Sequence, residues 1–192
     1  RGPHRQEERT PSGAVESVTV AAATPADVTE LAAVATATFP LACPPSVTAE
    51  NVAAFLSDNL SADNFSHYLA DAGRAVFVAR DDTRILGYAM LIRGAPTDPD
   101  VARVLPRHSV VELSKIYVLP DAHGGAVAAA LMNAALDDAR DHGAGTVWLG
   151  VNQKNERAQR FYRKHGFVVS GTKSFRVGDA IEDDYVMTRP IG

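Results

Sequence analysis

The chain has 192 residues, enough for one average domain around a single core, and its 46% hydrophobic and 22% charged residues are the balance of an ordinary globular protein. A formal net charge of −4 excludes a phosphate backbone as the main target, so no nucleic-acid partner is expected. With one cysteine, Cys43, there is no internal disulfide and no zinc site of several thiolates, and with no apolar run near ~20 residues and no hydrophobic signal core, no membrane partner is expected and the compartment is read as cytoplasmic.

Residues 1–17, RGPHRQEERTPSGAVES, are polar and carry two prolines and two glycines, so they are expected to be a disordered N-terminal segment before a single domain over 18–192. "SVTVAAA" alternates as a strand. "TPADVTELAAVATATF" follows as a helix, with Thr24 at its N-cap and Pro25 at the first helical position. "TAENVAAFLSDNL" and "SADNFSHYLADAG" read as one or two further helices, the second ending at Gly73. "RAVFVAR" and "RILGYAMLIRG" read as strands joined by the "DDT" turn, and "APTDPDVARVLPRHS", with three prolines, as a loop.

From Val110, "VVELSKIYVLP" is a strand of about ten residues that Pro120 ends, because proline cannot supply the next ladder donor. "DAHGGAVAAALMNAALDDARDHGAG" is a glycine turn running into a long helix, with Leu131, Ala135 and Ala139 at i+4 spacing and Gly143 closing it. "TVWLGV" is the next strand, "NERAQRFYRKHGF" the next helix, and "GFVVSGTKSF" with "DYVMTRPI" the closing pair. The order β-α-α-β-β-β-α-β-α-β-β predicts an α/β fold.

This order, with "ELSKIYVLP", "HGGAVAAALM", "VWLGV" and above all "NERAQRFYRKHGF", resembles the GNAT superfamily of acyl-CoA-dependent N-acyltransferases over residues 18–190. Asn, Ala, Phe-Tyr and Gly-Phe at these spacings are the most specific part. The resemblance implies a mixed central sheet of about six to seven strands with helices on both faces, acetyl-CoA as acyl donor without a metal, and an amine acceptor. It also implies that the Asn155 helix lies beside the coenzyme, with Tyr162 reaching the sulfur and Asn155 contacting the pantetheine arm. The tail "GFVVSGTKSFRVGD" with "DDYVMTRPI" looks most like the bacterial PaiA-type polyamine acetyltransferases, which implies a polyamine-like substrate. At two positions the chain departs from the family pattern. His123 stands where arginine or glutamine is usual, and Ala126 where glycine is usual.

The chemistry of each piece can be read from its residues. A glycine turn before a helix presents unpaired N–H groups and about half a positive charge, which suits a pyrophosphate; His123, Gly124, Gly125, Ala126, Val127 and Ala128 form such a turn. The same turn also suits any alanine-rich helix. An amine with a pKa near 10.4 is about one part in a thousand neutral at pH 7, so attack on a thioester needs a base. Glu112 is the candidate, against the reading of a plain strand-end carboxylate. With period two it should share a face with Ser114, Ile116 and Val118, while Lys115 and Tyr117 face away. Backbone N–H groups around Ile116, Tyr117 and Val118 suit the thioester carbonyl and pantetheine amides. Tyr162 is the candidate proton donor to the departing thiolate, and Asn155 also fits a helix N-cap. Arg157 lies on a solvated basic face with reach toward adenosine phosphates. The histidines show no metal spacing, and Glu182 to Asp184 is a weak pointer to a cationic substrate. Three functions stay open: a small-amine acetyltransferase, a protein lysine or N-terminal acetyltransferase, and a non-catalytic acyl-CoA-binding module, each as a monomer or homodimer.

Overall fold

The computed structural model describes residues 17–122 and 125–191. The expected disordered segment therefore lies outside the described residues, Ser17 excepted, and so do His123 and Gly124.

Strand β1, Thr19–Ala22, is followed by a 3-10 turn, Pro25–Asp27, and helix α1, Val28–Ala42. Thr24 is extended, as an N-cap requires, and its N–H donates to the Asp27 carboxylate at 2.8 Å. Helix α1 runs through Pro40 to Ala42, past the expected end at Phe39. Helices α2, Ala49–Asn59, and α3, Ala62–Ala70, are separate because each has its own cap: Thr48 accepts from the Asn51 N–H at 3.2 Å and Ser61 from the Asn64 N–H at 3.1 Å. Strands β2, Arg74–Arg80, and β3, Ile85–Arg93, are joined by a turn in which Asp81 accepts from the N–H groups of Thr83 and Arg84. The proline-rich stretch is not wholly loop. Asp98 caps a one-turn helix α4, Pro99–Ala102, whose Val101 is fully buried against Trp148 and Val186.

The remaining elements are β4, Val110–Val118; α5, Ala126–Asp141; β5, Thr146–Asn152; α6, Glu156–Lys164; β6, Val168–Val177; and β7, Ala180–Pro190. The seven strands form one mixed sheet in the order β1-β2-β3-β4-β5-β7-β6. Among the described residues only β4 and β5 are parallel, as a strand-helix-strand crossover through α5 requires. Helices α1–α3 cover one face, where Leu31, Phe39, Phe55, Phe65 and Tyr88 pack together. Helix α5 covers the other through Leu131, Met132, Ala135 and Leu136, with Phe161 and Tyr162 of α6 against the same cluster. Burial of these two apolar layers supplies the main driving force of folding. Among the described residues no helix is long and apolar enough to cross a membrane.

Two departures from regular pairing position the site. The β4–β5 ladder holds only from Val110↔Thr146 to Glu112↔Trp148. Beyond Glu112 the strands separate, leaving the facing backbone edges of residues 113–118 and 149–152 without ladder partners in each other. Strand β4 also bulges: Leu113 pairs with Leu91 and Lys115 with the adjacent Met90, so Ser114 is an extra residue. This corrects the expected alternation. Glu112, Lys115 and Tyr117 stand on the α1–α3 face opposite Ile92, Met90 and Tyr88, whereas Leu113, Ile116 and Val118 pack toward α5.

Candidate active site

The separation of β4 and β5 opens a cleft of about 450 Å³. Its walls are β4, the segment after α1 around Cys43 and Pro44, the start of α5, helix α6, and the inner face of the β6–β7 hairpin.

At the deep end, charged groups converge that are far apart in the chain. Glu112 and Lys115 come from β4, Lys173 from β6, and Glu182 and Asp184 from β7. Register explains the grouping. Lys173 pairs with Asp184 and Phe175 with Glu182 across the hairpin, so period-two alternation turns all four to one face, while Asp183 stands exposed. The acidic run is thus part of β7. Gly150 of β5 lies beneath, where a Cβ would meet Asp184 Oδ2 at 3.2 Å and the Lys173 Cε at 3.3 Å.

Asp184 is 5% exposed, and its Oδ1 is buried without a hydrogen-bond partner. Burial raises its pKa to about 6, with Lys173 pulling it back down. Burial also raises Glu112, opposed by Lys115 and Lys173, and lowers Lys115, opposed by Glu112. The chain end of the hairpin is tied over the site: Glu182 accepts from Ser46 Oγ at 3.3 Å and Asn152 Nδ2 at 3.4 Å, and the Asp179 N–H donates to Asn51 at 3.0 Å. Cys43 lines this wall. Its own burial and then Glu182 push the thiol up to about 11, which keeps it protonated at neutral pH.

At the other end stand α5 and α6. Gly125 caps α5 with φ of 76°, a left-handed conformation that glycine adopts without Cβ strain, and among the described residues no atom beyond its chain neighbours lies within 4 Å of where a Cβ would be. The N–H groups of Ala126, Val127 and Ala128 follow as the first helical donors, which have no intrahelical acceptor. Val127 is buried in the core and anchors this turn, and Gly125 and Ala128 line the cleft. Asn155 caps α6, its Oδ1 accepting from the Ala158 N–H at 3.2 Å. Tyr162, one helical face further on, lines the cleft between Phe161 and Phe167, with ring centroids 5.6 and 6.0 Å away. Burial raises its phenol well above its ordinary range, so at neutral pH it is a proton-bearing group. Arg157 lines the exposed mouth.

Glu112, Ile116, Tyr117, Val118, Gly125, Ala128, Asn155, Arg157 and Tyr162 therefore all border one cleft, while His123 and Gly124 lie outside the described residues. The Tyr117 side chain turns to the α1 layer, with its ring centroid 5.9 Å from Tyr88 and 6.4 Å from Phe39. Sequence reasoning missed Lys115 and Lys173 as cleft residues and reached Asp184 only as part of the acidic run, with no catalytic role. Extending strand alternation back through "IEDDYVMT" would have turned Asp184 inward with the buried Val186 and Thr188. Nothing local marked the Ser114 bulge that turns Lys115.

The cleft is thus a split between the two parallel strands of a mixed sheet, with a helix N-terminus at one end and titratable groups at the other. The profile of the Acetyltransferase (GNAT) family matches residues 42–167, and the chain belongs to that family. An uncharacterised N-acetyltransferase of Mycobacterium tuberculosis is 55% identical over 165 residues, covering 86% of this chain and 98% of the relative. Among solved structures, the PaiA N-acetyltransferase of Thermoplasma acidophilum, in complex with coenzyme A, superposes with a TM-score of 0.72 at 16% identity, over 91% of this chain and 99% of that one. YncA of Salmonella typhimurium, solved with acetyl-CoA, gives 0.64 at 20% identity over 91% and 94%. At these identities the structural likeness shows the fold.

Proposed function

We propose that this acetyltransferase moves the acetyl group of acetyl-CoA onto a primary amine of a small molecule, by direct attack while both substrates are bound. The single observation that carries the reading is the cleft itself. It joins free strand edges and a helix N-terminus, which suit a pantetheine arm and a pyrophosphate, to a buried carboxylate with an unpartnered oxygen, which suits an ammonium group.

In this mechanism the β4 backbone holds the thioester carbonyl and its developing oxyanion. Asp184 takes a proton from the bound ammonium and frees the nitrogen lone pair, with Glu112 on the same cleft as the second candidate; a pKa of about 6 leaves Asp184 mostly ionised at neutral pH yet basic enough to act. As the new C–N bond forms and the C–S bond breaks, Tyr162 gives its proton to the departing sulfur. Asn155 orients the arm through its amide nitrogen, the cap having engaged its Oδ1.

The hairpin tied over the acceptor end through Glu182 to Ser46 and Asp179 to Asn51 supports a small acceptor over a protein segment. The polyamine expectation came from the PaiA resemblance, with Glu182 to Asp184 as a weak pointer, and the presence of Lys115 and Lys173 in the same pocket weighs against a second or third positive charge. The test is thiol release from acetyl-CoA in the presence of a panel of amines, with calorimetry of acetyl-CoA binding on the same preparation. Amine-dependent release supports the reading. Binding without release for any small amine, alongside acetylation of a peptide N-terminus or lysine, would replace it with the protein-directed alternative.

A further inference from the structure

The deep end of the cleft has two cations that the proposed chemistry does not use. Lys115 follows the Ser114 bulge, and its Nζ donates only to its own neighbour, the Ser114 carbonyl at 3.1 Å and hydroxyl at 3.3 Å, while lying 5.9 Å from the Phe55 ring centre. Lys173 donates to the Ser174 carbonyl at 3.1 Å and lies 5.3 Å from the Phe175 ring centre. Among the described residues neither makes an ion pair with Glu112, Glu182 or Asp184, although all five line the same pocket. Arg74, the other nearby cation, is already held by Asp71 at 3.4 Å and by the Tyr68 ring.

A buried charge without a counter-charge is expensive, and so is a buried carboxylate oxygen without a donor. The pocket holds a half-buried Lys115 without an ion pair and an Asp184 Oδ1 without a donor, and no salt bridge joins them. A ligand with an ammonium and an anionic group a few bonds apart satisfies both, with its ammonium at Asp184 Oδ1 and its anion at Lys115 and Lys173. A neutral amine leaves the lysines unanswered. A polyamine adds positive charge beside them.

On the reading of the site as a small-amine acetyltransferase, we propose that its acceptor is an amphoteric amine, a free amino acid or a close analogue with its own carboxylate, whose anionic group is bound by Lys115 and Lys173. These two lysines are specificity-determining residues, distinct from the groups that move protons.

The experiment compares matched acceptors that differ in one group: free L-amino acids, the corresponding amino-acid amides, the decarboxylated amines, and spermidine, each assayed for thiol release from acetyl-CoA. At least one free amino acid is expected to exceed its amide by tenfold or more in kcat/KM. In Lys115→Met and Lys173→Met that ratio falls toward one, whereas Lys173→Arg keeps the preference for the acid. Acetyl-CoA binding and thermal unfolding of each variant confirm that it is folded; a variant that is not is replaced by Lys115→Gln or Lys173→Gln. If amides, decarboxylated amines or spermidine match or exceed every amino acid, the inference falls while the small-amine reading stands. If no small amine of any kind is turned over, the reading itself falls and takes the inference with it.

Discussion

Lys173 on β6 faces Asp184 across the β6–β7 ladder, and both reach over Gly150, yet the lysine donates to the Ser174 carbonyl and leaves Asp184 Oδ1 with no partner. An opposed lysine and aspartate on one sheet face would ordinarily pair. Here no ion pair forms between them, and on the proposed reading that leaves each charge able to meet its half of an amphoteric ligand.

Replacing Asp184 with asparagine keeps the shape and removes the base. The expected loss in kcat is about a hundredfold or more, the usual worth of a positioned base. Because the carboxylate must be ionised to act and its pKa is raised to about 6, wild-type kcat/KM should fall as pH drops through about 6. A pH–rate profile in which the asparagine variant keeps that acid limb would assign it to another group, Glu112 first.

The same shift predicts a stability effect. The unfolded carboxylate has a pKa near 3.8 and the folded one about 6, so between these values the folded state binds more protons and stability falls as pH rises. The cost is fully present above about pH 6 and absent below about 4, and two units correspond to roughly 3 kcal/mol at most. Urea denaturation at pH 4.5 and 7.5 should therefore show wild type losing stability relative to Asp184→Asn as pH rises. A difference independent of pH would mean that the carboxylate is solvated.

Tyr162→Phe retains the ring that packs between Phe161 and Phe167 and removes the proton. Acetyl-CoA affinity should change by less than about 1 kcal/mol, while kcat falls on the order of a hundredfold. A kcat drop below threefold at saturating amine, or an equal loss in affinity, would make the tyrosine a packing residue.

Gly150→Ala places a methyl group 3.2 Å from Asp184 Oδ2 and 3.3 Å from Lys173 Cε. The side chains must shift to admit it, so acceptor binding should weaken by roughly 1 kcal/mol, about fivefold in KM. Acetyl-CoA affinity, measured by calorimetry, should hold. Equal losses for both substrates would move the acceptor away from this end of the cleft.

Gly125→Ala tests the helix end. The open space beyond Gly125 means that the cost is backbone strain at φ 76° rather than a clash, about 1 kcal/mol of stability and a weaker hold on acetyl-CoA. Asparagine at the same position, which tolerates left-handed backbone better, should restore part of both. Unchanged stability in both variants would show that the turn relaxes.

Much of this protein was legible in the chain because its signals are local. Thr24 with Pro25, and Asn155 before an amphipathic turn, mark helix starts through hydrogen bonds that span three residues. Alternation and turn residues mark β2 and β3 in the same way. The strand-helix order and the "NERAQRFYRKHGF" stretch pointed to the family, and Glu112, Asn155 and Tyr162 do border one cleft. Only the tertiary structure decided how the site is charged. The Ser114 bulge is set by pairing with β3, and it reverses the faces of Lys115, Ile116, Tyr117 and Val118. The end of the β4–β5 ladder at Glu112, paired with Trp148, and the β6–β7 register that carries Lys173, Glu182 and Asp184 inward are agreements between separate segments of the chain. No local preference encodes such agreements, because a one-residue slip changes every facing side chain while leaving each strand's own composition untouched.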